Sequence, residues 1–443
     1  MMKRVFALLL ALAMLCALMV GCAKQETPAA EPSTNDPAAA ETTTDETPAA
    51  DAPAEQEVLE FYHAYWHDEA TWYPAVVMRE IYQEFADAHA DGPVRFEPIA
   101  IEDLTGLYSS ELASGRVPDM MDCAGSVKLE GAIAQNLLMD LKPYIDENGL
   151  EAQVGANYEQ NQVDGKIYTV SIGLASIGMW VNTDVLEATG ATMPEEWTTW
   201  EAFADAMETV RVNGEAMGYY SYGSGQGSIR MFNAALAATP AGAEMLKGPL
   251  TADAINSEEF ADAFRTVATL DQQNGSANSS VNANGLSAVF INGVWGASQF
   301  AGSDNFVSCI YPNSVAISSA NTGLYVANDL SDAQKELALE FIKYMTSEEV
   351  QSRYFLETSS NPINENVDIQ KLAQESGDPT VLKLAEACDK CNKADTIVLA
   401  IDVCWGNDVG GALQNKFAEC AVAGTDIEAK LAELQAELTA LIG

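Results

Sequence analysis

Several clusters in this chain pair flat aromatic rings with carboxylates, amides or hydroxyls. The first is His63-Ala64-Tyr65-Trp66-His67-Asp68-Glu69. A ring can stack on the apolar face of a small polar guest. A neighbouring carboxylate or phenol can take up the guest's hydroxyl protons. Trp66 is the candidate stacking ring, with Tyr65, Asp68 or Glu69 as hydrogen-bonding partners; alternatively these rings only cover the edge of the body. His63 and His67 are four apart, and with Asp68 they also allow a metal site, though a fourth ligand is not evident. Asp122 and Ser126 sit in a polar loop after the apolar Met120-Met121 and are candidate rim contacts. Tyr219 to Gly227 is aromatic and then Gly-rich, but it lacks the G-x-G-x-x-G spacing of a nucleotide loop, so Tyr220 and Tyr222 read as ligand-facing wall. Trp295 follows a strand pattern and a glycine and is the leading stacking candidate. Asn361 lies in the polar Thr358 to Asn364 loop and is a further candidate. Trp180 and Trp197 read as packing residues. Arg230 would favour a carboxylate ligand if it faced the site, or pair with a surface acid if not.

This inventory describes holding a ligand rather than breaking one. The chain has 3 His among 443 residues, no G-x-S-x-G and no H-E-x-x-H. Among 65 acids no local pattern marks a pair for glycoside hydrolysis. The expectation is a binding protein that is not an enzyme, with no cofactor and no metal.

The N-terminus sets the location. Lys3 and Arg4 precede an apolar run of 16 residues, Val5 to Val20, shorter than the roughly 20 a spanning helix needs. Leu18-Met19-Val20-Gly21-Cys22 closes it. The layout resembles the bacterial lipoprotein signal, with Met19 where that pattern usually has Leu. Residues 1–22 are therefore expected to be a signal peptide, with Cys22 the lipidation site and the mature protein anchored outside the cell membrane. Residues 23–56 are rich in Ala, Thr, Pro and acids and read as a disordered, self-repelling spacer. The net charge of -43 disfavours nucleic acid and anionic lipid surfaces as partners. Apart from Cys16 and Cys22, six cysteines remain, including the lone C-x-x-C of Cys388 and Cys391. The even count permits disulfides, and the C-x-x-C pair could be a redox pair, a metal half-site or structural thiols; a structural role is expected for it, free or disulfide-bonded to Cys404 or Cys420.

About 385 residues follow the spacer, enough for two cores. Val58 to Tyr62 and Val94 to Ile101 read as strands, separated by a helix with Val76, Val77, Ile81 and Phe85 on one face. Pro118 to Met121 reads as a third strand. Lys166 to Val170 and Ile177 to Val181 are strand-like. Helices are expected at Trp200 to Val210, Glu258 to Leu270, Ser331 to Met345 and Ile427 to Ile442, and a loop at Asn274 to Ser287. The alternation implies parallel pairing and an α/β architecture.

Six segments, in order, resemble the extracellular solute-binding proteins of ABC importers, family 1, the sugar-binding type. They are Val117-Pro118-Asp119-Met120-Met121, Asp164-Gly165-Lys166-Ile167-Tyr168, Met179-Trp180-Val181-Asn182-Thr183-Asp184, Pro194 to Trp200, Ser287 to Trp295, and Leu337 to Ser347. Ile172-Gly173-Leu174 replaces a usual Pro, and residues 211 to 250 match poorly. The resemblance implies two hinged α/β lobes with mixed sheets flanked by helices (type II), lobe 1 at 57–172 with 312–346 and lobe 2 at 173–311 with 347–443. It implies that Trp295 stands where the family puts a sugar-stacking aromatic. It also implies carbohydrate capture by hinge closure, with micromolar affinity, and delivery by a monomer to permease subunits. A polyamine, peptide or organic anion is the alternative ligand.

Overall fold

The computed structural model describes residues 56–123, 125, 127–224, 227–274 and 285–443. Cys22, the signal and nearly all of the spacer lie outside the described residues, as does Ser126.

In chain order the strands are β1 (Glu57–His63), β2 (Val94–Ala100), β3 (Met120–Asp122), β4 (Gln162–Val163), β5 (Lys166–Ile167), β6 (Gly173–Asn182), β7 (Tyr220–Ser224), β8 (Ser287–Gly293), β9 (Phe306–Cys309), β10 (Val315–Ala320), β11 (Leu324–Val326), β12 (Asn361–Pro362) and β13 (Thr396–Val398). Two main sheets form. The smaller runs β11-β3-β1-β2, with β1 parallel to both neighbours and β11 antiparallel to β3. The larger runs β13-β10-β6-β8-β7, and β9 and β12 also pair with β6.

The smaller sheet follows from the alternation in β1. Leu59 and Phe61 point into a core and are fully buried. The Tyr73–Ala88 helix covers them with Val77, Ile81, Tyr82 and Phe85. The Asp332–Met345 helix adds Phe341, whose ring lies 4.8 Å from that of Phe61 and 4.5 Å from that of Phe96. Burying each such side chain contributes about 1.5–3 kcal/mol. The latter helix starts with a capping box: Ser331 accepts from the Gln334 N–H and the Gln334 side chain accepts from the Ser331 N–H.

In the larger sheet β6 is central and nearly continuous in apolar residues, as expected for a strand buried on both faces. Trp180 lies on one face, with Phe290, Phe300 and Leu384. Met179 and Val181 lie on the other, with Phe203, Phe232, Phe264 and Phe417. The expected helices form at Trp200–Gly214, Glu258–Asn274 and Ile427–Ile442. Lys166 to Val170 yields only the two-residue β5, hairpinned to β4, plus a single bridge from Val170 to Leu324.

The chain passes between the sheets at Ser171–Gly173 and again at Ala320–Leu324. The Glu348–Thr358 helix makes a third passage, with Val350 in the core of the smaller sheet and Phe355 in that of the larger. Residues 315–320, grouped by sequence with lobe 1, instead pair with β6 in the larger sheet. Buried amides lace these passages. Asn157 donates to Ser171 O at 2.9 Å and accepts from Ser171 N at 2.8 Å. Gln351 donates to Ile172 O at 2.9 Å and accepts from Ile363 N. Such bonds satisfy backbone groups that cannot reach the ladder of either sheet.

Cys309, Cys388, Cys391, Cys404 and Cys420 are free thiols. Cys388 and Cys391 lie buried on the Pro379–Asn392 helix. Burial pushes the Cys391 thiol up to about 12. The C-x-x-C pair packs as apolar filling rather than as a reactive dithiol.

Candidate ligand-binding cleft

Two cavities open along the seam between the sheets, and both are bordered by Asn321 and Thr322 on the β10–β11 passage. The smaller, about 190 Å³, is walled by Tyr65 and Asp122 from one lobe and Trp295 from the other, with Tyr354, Ser360 and Asn361 from the third passage. The larger, about 690 Å³, lies between Gly125, Lys128 and Glu130 with Tyr168 and Thr169 on one side and Asp402, Trp405 and Asn407 on the other. These segments follow β1, β3, β8 and β13, at the carboxyl ends of strands where open α/β sheets present their ligands.

Tyr65 is positioned from behind. Its N–H donates to His63 Nδ1 at 3.3 Å, and its carbonyl accepts from Arg79 Nη1 at 2.6 Å. The same Arg79 nitrogen reaches His67 O at 2.7 Å. The Tyr65 ring stacks on Trp72, 5.4 Å between centroids. Burial, helped by the Arg79 charge, lowers His63 to about 4, so it is a neutral imidazole. Burial and then the Asp122 charge push the Tyr65 phenol up; Tyr354 is raised to about 12, chiefly by burial. Both phenols therefore remain O–H donors near an ionisable acceptor.

Trp295 is held by the glycines around it. A Cβ on Gly293 would meet the Trp295 ring carbons at 2.2 Å, and one on Gly296 would meet Trp180 Nε1 at 2.5 Å. Trp180 Nε1 donates to Gly293 O at 3.0 Å. The Gly-Val-Trp-Gly run thus lets one indole sit in the core and the next lie half-buried at the cleft.

Tyr65, Asp122, Trp295 and Asn361 come together at the smaller cavity. The Asn361 side chain is already committed there, donating to Ser176 Oγ at 2.8 Å. The other candidates lie elsewhere. Trp66 is 43% exposed and stacks on His67. Asp68 is a turn acceptor for the Thr71 N–H at 2.9 Å. Neither lines either of these two cavities. His63 packs on Tyr82, whereas His67 turns to Trp66. Among the described residues no three His, Cys, Asp or Glu side chains converge to hold a metal. Tyr220 is exposed on β7. Tyr222 departs from the wall position: it is buried, and its hydroxyl donates to Asp271 Oδ1 at 2.6 Å. The Glu258–Asn274 helix, which carries Asp271, covers it there. Arg230 is ion-paired with Asp402.

Sequence reasoning missed Tyr354, Asn321, Thr322, Lys128, Asp402 and Trp405. Tyr354 faces the cleft from the Glu348–Thr358 helix, away from the strand ends where ligand residues were sought. For Asp402 and Trp405 the available signal was their position just after a short apolar strand, Thr396–Val398.

Residues 80–378 match the family model described as bacterial extracellular solute-binding protein. A solute-binding protein from Streptococcus pneumoniae, solved in complex with the blood group A-trisaccharide, is 40% identical, covering 87% of this chain and 100% of that one with a TM-score of 0.80. A chitin oligosaccharide binding protein (20% identical, TM-score 0.66, 86% and 98% covered) shares the fold. So does an ABC substrate-binding protein from Listeria monocytogenes in complex with cycloalternan (18% identical, TM-score 0.63, 88% and 100% covered). Nothing matches among curated proteins. Two α/β lobes joined by three passages, a cleft at their seam and a family match over most of the chain lead to one conclusion: the chain belongs to the bacterial extracellular solute-binding proteins.

Proposed function

We propose that this protein captures a carbohydrate outside the cell and delivers it to the permease subunits of an ABC importer. The observation that carries the reading is the seam itself, where Trp295 of one lobe and Tyr65 of the other line a single cavity with Asp122, Tyr354 and Asn321. Rings for the C–H faces and donors and acceptors for the hydroxyls are what a sugar requires. The relative solved with a trisaccharide supports the same ligand class. Trp295 is the stacking platform, Tyr65 and Tyr354 are donors, and Asp122 is the acceptor. The three passages act as the hinge, and ligand selects the closed form through contacts it makes with both lobes.

The protein acts as a monomer without cofactor or catalysis. Lipidation at Cys22 anchors it to the membrane, with residues 23–56 as spacer. Among the described residues no helix is long and apolar enough to cross a membrane. Mass spectrometry of the mature protein tests the anchor: an unmodified Cys22, or cleavage elsewhere, would remove it. The ligand is tested by thermal shift against neutral and acidic oligosaccharides, polyamines and peptides. A saccharide that raises the melting temperature by mass action, with a micromolar dissociation constant, is the expected result. Stabilisation by polyamines or peptides alone would overturn the carbohydrate assignment, and turnover of a bound glycan would overturn the non-catalytic one.

A further inference from the structure

The wall of the larger cavity formed by residues 399–407 rests on the Ser228–Leu236 helix. Asn233, fully buried, donates to Leu399 O at 3.1 Å and accepts from Ile401 N at 2.9 Å. One turn earlier, Arg230 is 9% exposed and forks onto Asp402, one nitrogen to each carboxylate oxygen. The Asp402 side chain remains 35% exposed and lines the cavity. A carboxylate has about four lone-pair sites. The fork occupies two and orients the plane of the group, which leaves acceptor positions toward the cleft. Burial opposes the Asp402 charge, but the hydrogen bonds and charge of Arg230 outweigh it and hold the carboxyl below its usual range.

The charge balance of the cleft points the same way. Asp122, Glu130 and Asp402 line it, and Lys128 is the one cation among the described lining residues. Lys128 is itself bonded to Asp408 at 3.2 Å. Arg230, whose two terminal nitrogens are bonded to Asp402, does not line either cavity. The undescribed positions 124, 126, 225–226 and 275–284 carry no charged residue. A ligand carboxylate entering here would meet three carboxylates and a single cation, Lys128, which is already shared with Asp408.

We propose that Asp402 is a specificity-determining contact of this cleft: positioned by Arg230, it accepts hydroxyl protons from an uncharged saccharide and, with Asp122 and Glu130, turns sugar acids away. This rests on the carbohydrate reading above and narrows it to neutral sugars. It replaces the role considered for Arg230 as receptor of an acidic ligand.

The experiment is calorimetric titration of the full mature protein with raffinose, triacetylchitotriose and blood group A trisaccharide as neutral probes. Trigalacturonic acid and its methyl ester form a pair that differs in charge. The expected result is binding of at least one neutral probe and at least tenfold weaker binding of the acid than of the ester or the best neutral probe. Asp402→Asn should weaken the neutral ligand at least tenfold, and Arg230→Lys, which keeps charge but loses the fork, should fall between. A monodeoxy analogue lacking the hydroxyl that Asp402 takes should bind wild type and Asp402→Asn equally, a coupling that a merely structural role would not produce. If Asp402→Asn does not fold, the acid–ester comparison and the deoxy series on wild type decide alone. Acid binding as tight as the ester, or a folded Asp402→Asn with unchanged affinity, overturns the proposal. Failure of every saccharide, neutral and acidic, instead overturns the carbohydrate reading.

Discussion

The two cavities that meet at Asn321 and Thr322 are built on different principles. The smaller is an aromatic slot: Trp295, Tyr65 and Tyr354 face it, and its single carboxylate, Asp122, is nearly buried. The larger is wider and ionic, rimmed by Lys128, Glu130 and Asp402, and its Trp405 is fixed as wall by a bond from Nε1 to Met245 O at 3.2 Å. The contrast teaches a division of labour. Ring faces supply contact area at low entropic cost, whereas oriented carboxylates and amides discriminate among hydroxyls. The smaller cavity should therefore dominate affinity and the larger one selectivity.

The largest effect that could break this division is expected from Trp295→Ala. Loss of the stacking face should move a micromolar ligand to about millimolar, roughly 4 kcal/mol, measured by titration calorimetry. A change below tenfold would remove the aromatic slot as the seat of affinity.

Next is the support beneath Tyr65. His63 is neutral in the fold with its pKa near 4, against 6.5 when unfolded. Its depressed value means the unfolded state takes up a proton first as pH falls. Stability should be complete above pH 6.5 and decline by about 3 kcal/mol on reaching pH 4. The His63→Gln variant should flatten that part of the pH–stability curve in denaturant titrations. An unchanged slope would place the titration elsewhere.

A smaller effect is expected from Gly293→Ala. The added methyl would meet the Trp295 ring and force it to turn. Affinity should fall about tenfold, about 1.4 kcal/mol, with little loss of melting temperature. Equal affinity would mean that the indole orientation is immaterial.

The smallest belongs to the larger cavity. Lys128 and Asp408 are both exposed and join the two sides of the cleft at 3.2 Å. Their pair is worth about 0–1 kcal/mol and is screened by salt. Lys128→Ala should change affinity by no more than a few-fold at low salt and not at all at high salt.

Local features of the fold were legible early. The capping box at Ser331 and Gln334 and the left-handed Gly190 after Thr183–Thr189 are written within a few residues. So is the alternation that buries Leu59 and Phe61. Trp295 was also legible, because a strand, a glycine and an aromatic in sequence place a ring at a sheet edge. Tyr222 was not distinguishable from Tyr220 in the same way. Period two puts them on the same side of β7, yet one is half exposed at the strand's start and the other is covered by the Glu258–Asn274 helix through Asp271.

By itself, then, the order of residues determined the α/β class, the two-core size, the main helices and the polar-aromatic character of the binding segments, since periodicity, capping and composition act over short stretches of chain. Tertiary structure alone decided that β10 joins the larger sheet, that Arg230 meets Asp402 across 172 positions, and that Asp402 rather than Asp68 reaches the cleft. Those outcomes depend on which distant surfaces bury each other, and on desolvated charges finding partners only once the two lobes have packed.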